Sequence, residues 1–202
     1  MGRSQAVCAV LAGVLLWSAG GVPECPAQTG VERTATEKLI SWIDSSIESA
    51  SLQVSPDSKR VAYETLRRGI LRRGKWVVVV DGVEGKEYDG IGESSPIFSP
   101  DSKRVAYGAR RGEKWVVVVD GVEGKEYDGI RKGSLIFSPD SKRVAYEARR
   151  GEKWIVVVDG VEGKEYDGFL RGTKLIFDSA HTLHYLAVRG NRIYLVEEQL
   201  RE

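Results

Sequence analysis

The amino-acid sequence predicts an all-β fold of about four antiparallel blades in a β-propeller, closed or left as an open arc, with one short N-terminal helix. Three observations lead there. A unit of about 40 residues recurs almost letter for letter: Trp76, Trp115 and Trp154 stand 39 apart, and Asp81, Asp120 and Asp159 keep that interval. Each unit divides into four strand-length runs bounded by Gly, Pro, Asp or Ser, which is what a propeller blade of that length requires. With 42% hydrophobic and 29% charged residues, the 202-residue chain has enough apolar material for one domain with a real core.

The chain opens with a pattern of its own. Arg3 supplies a positive start, Ala6 to Trp17 form an apolar run, and small residues lead to Cys25-Pro26-Ala27. Residues 1–27 therefore read as a signal peptide cleaved after Ala27, and the chain as exported to the periplasm or beyond the cell. The apolar run is too short to span a bilayer, so no transmembrane segment is expected in the mature chain. Glu24 before Cys25 argues against lipidation. Both cysteines, Cys8 and Cys25, lie within the signal, which leaves no thiol for a disulfide, a nucleophile or a metal site.

Residues 28–50 read as a linker and a short amphipathic helix. Thr34-Ala-Thr-Glu37 has capping-box spacing, and Leu39, Ile40, Ile43 and Ile47 make an apolar stripe at helical intervals. The propeller repeats then run over 51–202, as units 51–94, 95–133, 134–172 and a degenerate 173–202. In the third unit strand a is Leu135 to Phe137, b is Arg143 to Ala148, c is Trp154 to Val158, and d is Lys164 to Gly168. Strand c is apolar on both faces, as expected of a strand held between two neighbouring blades. The repeating tryptophans, and Tyr63, Tyr107 and Tyr146, are assigned to packing because they recur with the strands. The first unit has five extra residues in its b–c turn, and the fourth ends before any counterpart of Lys-Glu-Tyr-Asp-Gly.

At Ser99-Pro-Asp-Ser-Lys-Arg-Val-Ala-Tyr107 followed by Trp115-Val-Val-Val-Val-Asp-Gly121, the sequence resembles the WD40-like propeller repeats of the TolB type, found in many exported bacterial proteins. The resemblance covers about residues 51 to 196 and implies a propeller that binds proteins or ligands without catalysis. A Tol-Pal role is not carried over. Four units leave three ways to finish the structure: a closed small ring, an open arc, or a homodimer completing one ring.

Residues capable of chemistry are few. The mature chain has only His181 and His184, at a spacing that suits neither a zinc-binding helix nor an alternating strand, and no nucleophile elbow or phosphate loop is visible. No enzyme, cofactor or metal is expected. The acidic stretch Asp120 to Asp128 offers oxygens for calcium, but Lys125 sits inside it, and a tight c–d hairpin is the preferred reading.

Charge is the informative feature. Net charge is only +1, yet alternating turns should sort it by rim. The rim bearing the b–c and d–a turns collects 17 Lys and Arg against Glu93, Glu113 and Glu152, while the a–b and c–d turns sum to −7. The candidate partner-binding surface is this basic rim: Arg67, Arg68, Arg72, Arg73, Lys75, Arg110, Arg111, Lys114, Arg149, Arg150 and Lys153. It suits an acidic protein or an anionic polymer. Two functions follow, a non-enzymatic scaffold that binds another protein or a lectin-like module for acidic glycans, and export argues against nucleic acid.

Overall fold

The computed structural model describes residues 36–41, 52–67 and 74–201. The chain divides into two compact units, 1–37 and 38–202, and all the strands belong to the second. Blade 1 is β1 (Gln53–Val54), β2 (Val61–Arg67), β3 (Lys75–Val80) and β4 (Val83–Tyr88), hydrogen-bonded in that order. Blade 2 is β5 (Gly90–Ile91), β6 (Ile97–Phe98), β7 (Val105–Arg111), β8 (Lys114–Val119) and β9 (Val122–Tyr127). Blade 3 repeats it as β10 (Gly129–Ile130), β11 (Ile136–Phe137), β12 (Val144–Arg150), β13 (Lys153–Val158) and β14 (Val161–Tyr166). Blade 4 holds β15 (Gly168–Phe169), β16 (Ile176–Phe177), β17 (Thr182–Arg189) and β18 (Arg192–Gln199). Every pairing is antiparallel.

The repeat places strands b and c where the sequence does, but strand a is split. Its first half, such as Gly129–Ile130, pairs with the end of strand b, and its second half, Ile136–Phe137, pairs with the start. Blades therefore begin at Gly90, Gly129 and Gly168, a few residues before the sequence-derived boundaries. Strand d starts at Val161 rather than Lys164, directly after the c–d turn. That turn is two residues long, and both Asp120 (φ 52°) and Gly121 (φ 82°) are left-handed, the geometry of a hairpin whose twist matches its strands. A bulge between Ile155 and Val157 follows in the pairing of β13 with β14.

The predicted helix is not seen over residues 36–41, which carry no regular structure; the remainder of that stripe, like the 1–27 signal, lies outside the described residues. Packing of residues 38–41 against blade 1 accounts for this. The Ser41 hydroxyl lies 3.1 Å from that of Tyr63, and a Cβ at Gly82 would stand 3.1 Å from the Ile40 carbonyl oxygen. That carbonyl is turned toward the β3–β4 hairpin.

Three apolar layers hold consecutive blades together. Between blades 1 and 2 lie Val78, Tyr88, Tyr107, Val116 and Val118; between 2 and 3, Val117, Tyr127, Tyr146, Ile155 and Val157; between 3 and 4, Val156, Tyr166, Leu183 and Tyr185. Strand c feeds both neighbours by alternation, Val116 and Val118 one way and Val117 the other. Each buried valine stabilises by about 1.5–3 kcal/mol, so these strands dominate the stack. A tyrosine pair marks each layer edge-to-face: Tyr88–Tyr107, Tyr127–Tyr146 and Tyr166–Tyr185, with centroids 6.2, 6.0 and 6.0 Å apart. The tyrosines pack as expected. Trp76, Trp115 and Trp154 are only half-buried, because the first turns of strand c reach toward the rim.

The Ser-Pro-Asp-Ser turn stitches blades together. Within one turn Ser99 Oγ donates to Asp101 Oδ1 (2.6 Å) and accepts from the Arg104 amide (2.9 Å). Across blades, the Asp101 amide donates to Ser141 Oγ (2.9 Å), and Arg104 Nη1 donates to the carbonyls of Ser141 (3.2 Å) and Lys142 (2.6 Å) while lying over Phe137. Arg60 makes the same reach to Ser102, Lys103 and Phe98. Blade 4 has Asp178-Ser179-Ala180 at this point.

Candidate partner-binding surface

The basic rim is built where the b–c hairpins meet the ends of strand d, and the structure brings carboxylates there as well. Lys75, Lys114 and Lys153 begin strand c, and each reaches across to the residue just after strand d: Asp89, Asp128 and Asp167, all at 2.5 Å. The second oxygen of each aspartate accepts from the turn glycine of the following blade, Gly112 (2.7 Å), Gly151 (2.6 Å) or Gly190 (2.6 Å). The sequence-derived charge map places these aspartates with the c–d turns on the acidic rim. They stand on the basic rim instead, because strand d runs the full height of the blade and delivers its last residue to the other end.

The other described members of the candidate set are also engaged, whereas Arg171, Lys174 and Arg192 on the same rim are exposed. Arg67 pairs with Glu84, Arg111 with Glu123 (2.6 Å), and Arg150 with Glu162 (2.8 Å) and Glu165 (3.0 Å). Arg110 and Arg149 donate to the backbone carbonyls of Asp89 (3.1 Å) and Asp128 (3.3 Å). Arg68, Arg72 and Arg73 lie outside the described residues. Hydrogen bonds from Lys114 and the Gly151 amide hold the Asp128 carboxyl below the usual range, and those from Lys153 and Gly190 do the same for Asp167. The b–c hairpin part of the rim is thus a lattice of paired charges.

On the opposite rim Asp120 is similarly occupied. Its Oδ1 accepts from the Val105 amide (2.9 Å) and its Oδ2 from Arg104 Nε (2.8 Å). The acidic turn is a hairpin whose Asp120 carboxylate closes the blade, both of its oxygens being taken by the Val105 amide and Arg104. Clefts of about 570, 400 and 270 Å³ recur beside successive c–d hairpins, flanked by Val83, Val122 and Val161, each highly exposed. In blade 4 the His184 ring lies 2.7 Å from Asp178 Oδ2, and the His181 carbonyl accepts from the Leu200 amide at 2.7 Å.

One surface was not visible in the sequence as a site. In blades 1 to 3, strand c pairs with b on one side and d on the other. In blade 4, β18 pairs with β17 over eight consecutive residues, from Thr182 opposite Gln199 to Arg189 opposite Arg192, and no strand d follows among the described residues. Ile193 and Leu195 are 63% and 62% exposed, and Tyr194 is 36% exposed. Leu195 corresponds to Val117 and Val156, each buried against the blade that follows it, so Ile193 and Leu195 lie on the sheet face where those blades receive a neighbour. The sequence signal was the missing counterpart of Lys-Glu-Tyr-Asp-Gly in the fourth unit; which strand edge it concerns needed the register.

These four antiparallel sheets, packed on one another in chain order and split in strand a in blades 2 to 4, settle the architecture. The fold is a β-propeller fold. Solved structures similar to this chain include the β-propeller domain of the Trilobed protease from Pyrococcus furiosus, described as having an open velcro topology, at a TM-score of 0.47 and 17% identity, covering 76% of this chain and 58% of that one. TolB from Acinetobacter baumannii matches at 0.44 and 14% over 76% and 41%. The acylaminoacyl peptidase of Pyrococcus horikoshii matches at 0.44 and 18% over 76% and 32%. The aligned region therefore spans less than two thirds of each of these proteins. No family model matches the sequence, and no curated protein matches it. Among the described residues no helix is long and apolar enough to cross a membrane.

Proposed function

We propose that this chain is an exported, non-enzymatic propeller scaffold that binds another protein, and that blade 4 takes an extended segment of that partner as its fourth strand. The open edge of β18 carries this reading. An eight-residue strand whose outer backbone groups have no partner among the described residues is a template for strand addition, and soluble proteins ordinarily blunt such edges with charge, proline or a covering element. Three times in the same chain the equivalent strand receives Val-Glu-Gly-Lys-Glu-Tyr, so the geometry that accepts a fourth strand is already built.

The basic rim has a supporting role in this reading. Arg189 and Arg192 stand at the rim end of β18, beside the row that includes Arg149, Arg150 and Lys153, and paired charges of this kind guide an approaching protein more than they bind it. An acidic-glycan reader has less support, since the described cations of the b–c hairpins are engaged with carboxylates and carbonyls. Export rests on the 1–27 pattern, and the absence of catalysis on the structural employment of Asp120, Asp128 and Ser99.

The test is fluorescence anisotropy with a labelled peptide of the chain's own strand d, residues 159–168. Saturable binding with a dissociation constant on the order of 10–100 µM is expected, and Ile193→Lys with Leu195→Lys should weaken it at least tenfold, since both side chains are exposed and dispensable for folding. No binding at millimolar peptide, or equal binding by the variant, would refute the reading. A protein mass that doubles with concentration and falls in the same variant would assign the edge to a second copy of this chain.

A further inference from the structure

Near-identical repeats allow one blade junction to be compared with the next, and among the positions that differ one pair lies opposite each other across strands a and b. Where strand a passes the middle of strand b, blade 2 has Gly92 and Gly108, blade 3 has Arg131 and Glu147, and blade 4 has Leu170 and Leu186. The backbone is the same in the first two: the Gly92 amide donates to the Gly108 carbonyl at 2.8 Å, and the Arg131 amide to that of Glu147 at 2.9 Å. In blade 4 the pairing of Gly168 with Val188 and Phe169 with Ala187 continues to bring Leu170 opposite Leu186. The changes are matched: two glycines, one ion pair, two leucines.

The side chains at the third blade fill its junction with the fourth. Glu147 is 1% exposed, accepts from Arg131 Nη1 at 2.7 Å, and Arg131 also donates to the Leu170 carbonyl (2.9 Å) and lies over the Phe169 ring. At the junction of blades 2 and 3 both side chains are missing, and a cavity of about 210 Å³ stands there. Its walls are Gly92, Gly108 and Trp115 from blade 2 and Ile130 and Leu135 from blade 3. The space admits side chains. A Cβ on Gly92 would lie 3.5 Å from the Trp115 ring, and one on Gly108 no closer than 4.0 Å to Gly92 Cα, both ordinary contacts. Glu93 and Lys132 pair at its edge.

We propose that this cavity is a binding site for a compact apolar group, of the size of a branched aliphatic side chain or a six-membered ring. Cavities of roughly 150 Å³ with apolar walls hold a benzene ring, so this one has room for a ring with a substituent. The inner wall chemistry agrees: the Trp115 face, Ile130 and Leu135 are apolar, Ser95 Oγ is committed to the Gly92 carbonyl (2.6 Å), and the polar Ser94 and Arg131 complete the lining. The fold itself places leucines at the equivalent positions of blade 4. Such a group can arrive as a free small molecule or as a side chain of a bound protein. The site does not depend on the open edge of blade 4.

The experiment follows the tryptophan indole N–H signals of the whole protein by NMR, with Trp115 assigned through Trp115→Phe, while cyclohexanol and N-acetylleucinamide are titrated separately. Saturable shifts of the Trp115 signal are expected, with dissociation constants on the order of 1 mM. Tighter binding of cyclohexanol assigns a free ligand, and tighter binding of the amide a partner's side chain. Transplanting the blade 3 pair as Gly92→Arg with Gly108→Glu, or the blade 4 pair as Gly92→Leu with Gly108→Leu, should abolish the Trp115 shifts at least tenfold while leaving peptide binding at β18 unchanged. Absence of any Trp115 shift at 50 mM of either probe, on the order of fifty times the expected constant, overturns the proposal. So does persistence of the shifts in whichever transplant remains folded.

Discussion

Removing the guanidinium of Arg131 should expose how much the blade 3 junction depends on one ion pair. Glu147 is buried, and in the folded protein burial raises its carboxyl above the ordinary value while Arg131 pulls it back. Arg131→Ala would leave a carboxylate in the junction with no countercharge and orphan the Leu170 carbonyl bond. Breaking a buried pair from one side costs about 3–5 kcal/mol, which for a domain of this size lowers Tm by about 10 °C. The pH dependence carries the sign. A carboxyl whose folded pKa is raised stabilises the protein below its unfolded pKa and loses that contribution as pH rises through the folded pKa. Without Arg131 the upward shift grows, so the deficit of Arg131→Ala should be largest at neutral pH and shrink as pH falls toward about 4. Replacing both residues by leucine, as blade 4 has at Leu170 and Leu186, should recover most of the loss. Urea unfolding of the wild-type protein, Arg131→Leu, Glu147→Leu and the double-leucine variant at several pH values, alongside Arg131→Ala and read by tryptophan fluorescence, gives the cycle. A coupling below about 0.5 kcal/mol, or a deficit that grows on acidification, would refute the reasoning.

Two further outcomes follow from the repeated contacts. Arg104→Ala should destabilise by about 2 kcal/mol, because it removes charge-assisted bonds to Asp120 and to the Ser141 and Lys142 carbonyls of the next blade. Arg143→Ala should cost less than half as much in the same unfolding assay, since the only bond of its guanidinium among the described residues is to Asp159, at 3.1 Å. Asp128 and Asp167 are held below the usual carboxylate range by their lysine and glycine partners. Their contribution is therefore present above about pH 4 and lost as pH falls through their folded pKa values, so Asp128→Asn and Asp167→Asn should flatten the acid limb of a stability-versus-pH curve.

Much of this architecture was legible in the residues. The 39-residue interval of the tryptophans, the apolar c strands and the Asp-Gly turns lead to the blade, because each local preference agrees with the others. Strand d was read late because Val161-Glu-Gly-Lys does not alternate, and the bulge beside Val157 explains why: Gly163 and Lys164 are passed over in the pairing. The first half of strand a was read as the end of d, since a two-residue pairing such as Gly168–Phe169 has too little pattern to declare its sheet. The charge map failed at Asp89, Asp128 and Asp167 for a related reason. Which rim an aspartate joins depends on where a strand ends, and one misplaced boundary moved three charges across the molecule. The cavity beside Trp115 had a signal in plain view, Gly108 standing where its copy has Glu147, but its meaning required knowing that Gly92 is its partner.

Amide hydrogen exchange across β18, with and without the strand d peptide of residues 159–168, addresses the open edge most directly. Residues 192–199 should alternate in the free protein, with the amides bonded to β17 protected and those facing outward exchanging quickly. Saturating peptide should then slow the outward set to the level of β8 and β13. Outward amides already as protected as those of β8 in the free protein, or unchanged by the peptide, would contradict the account.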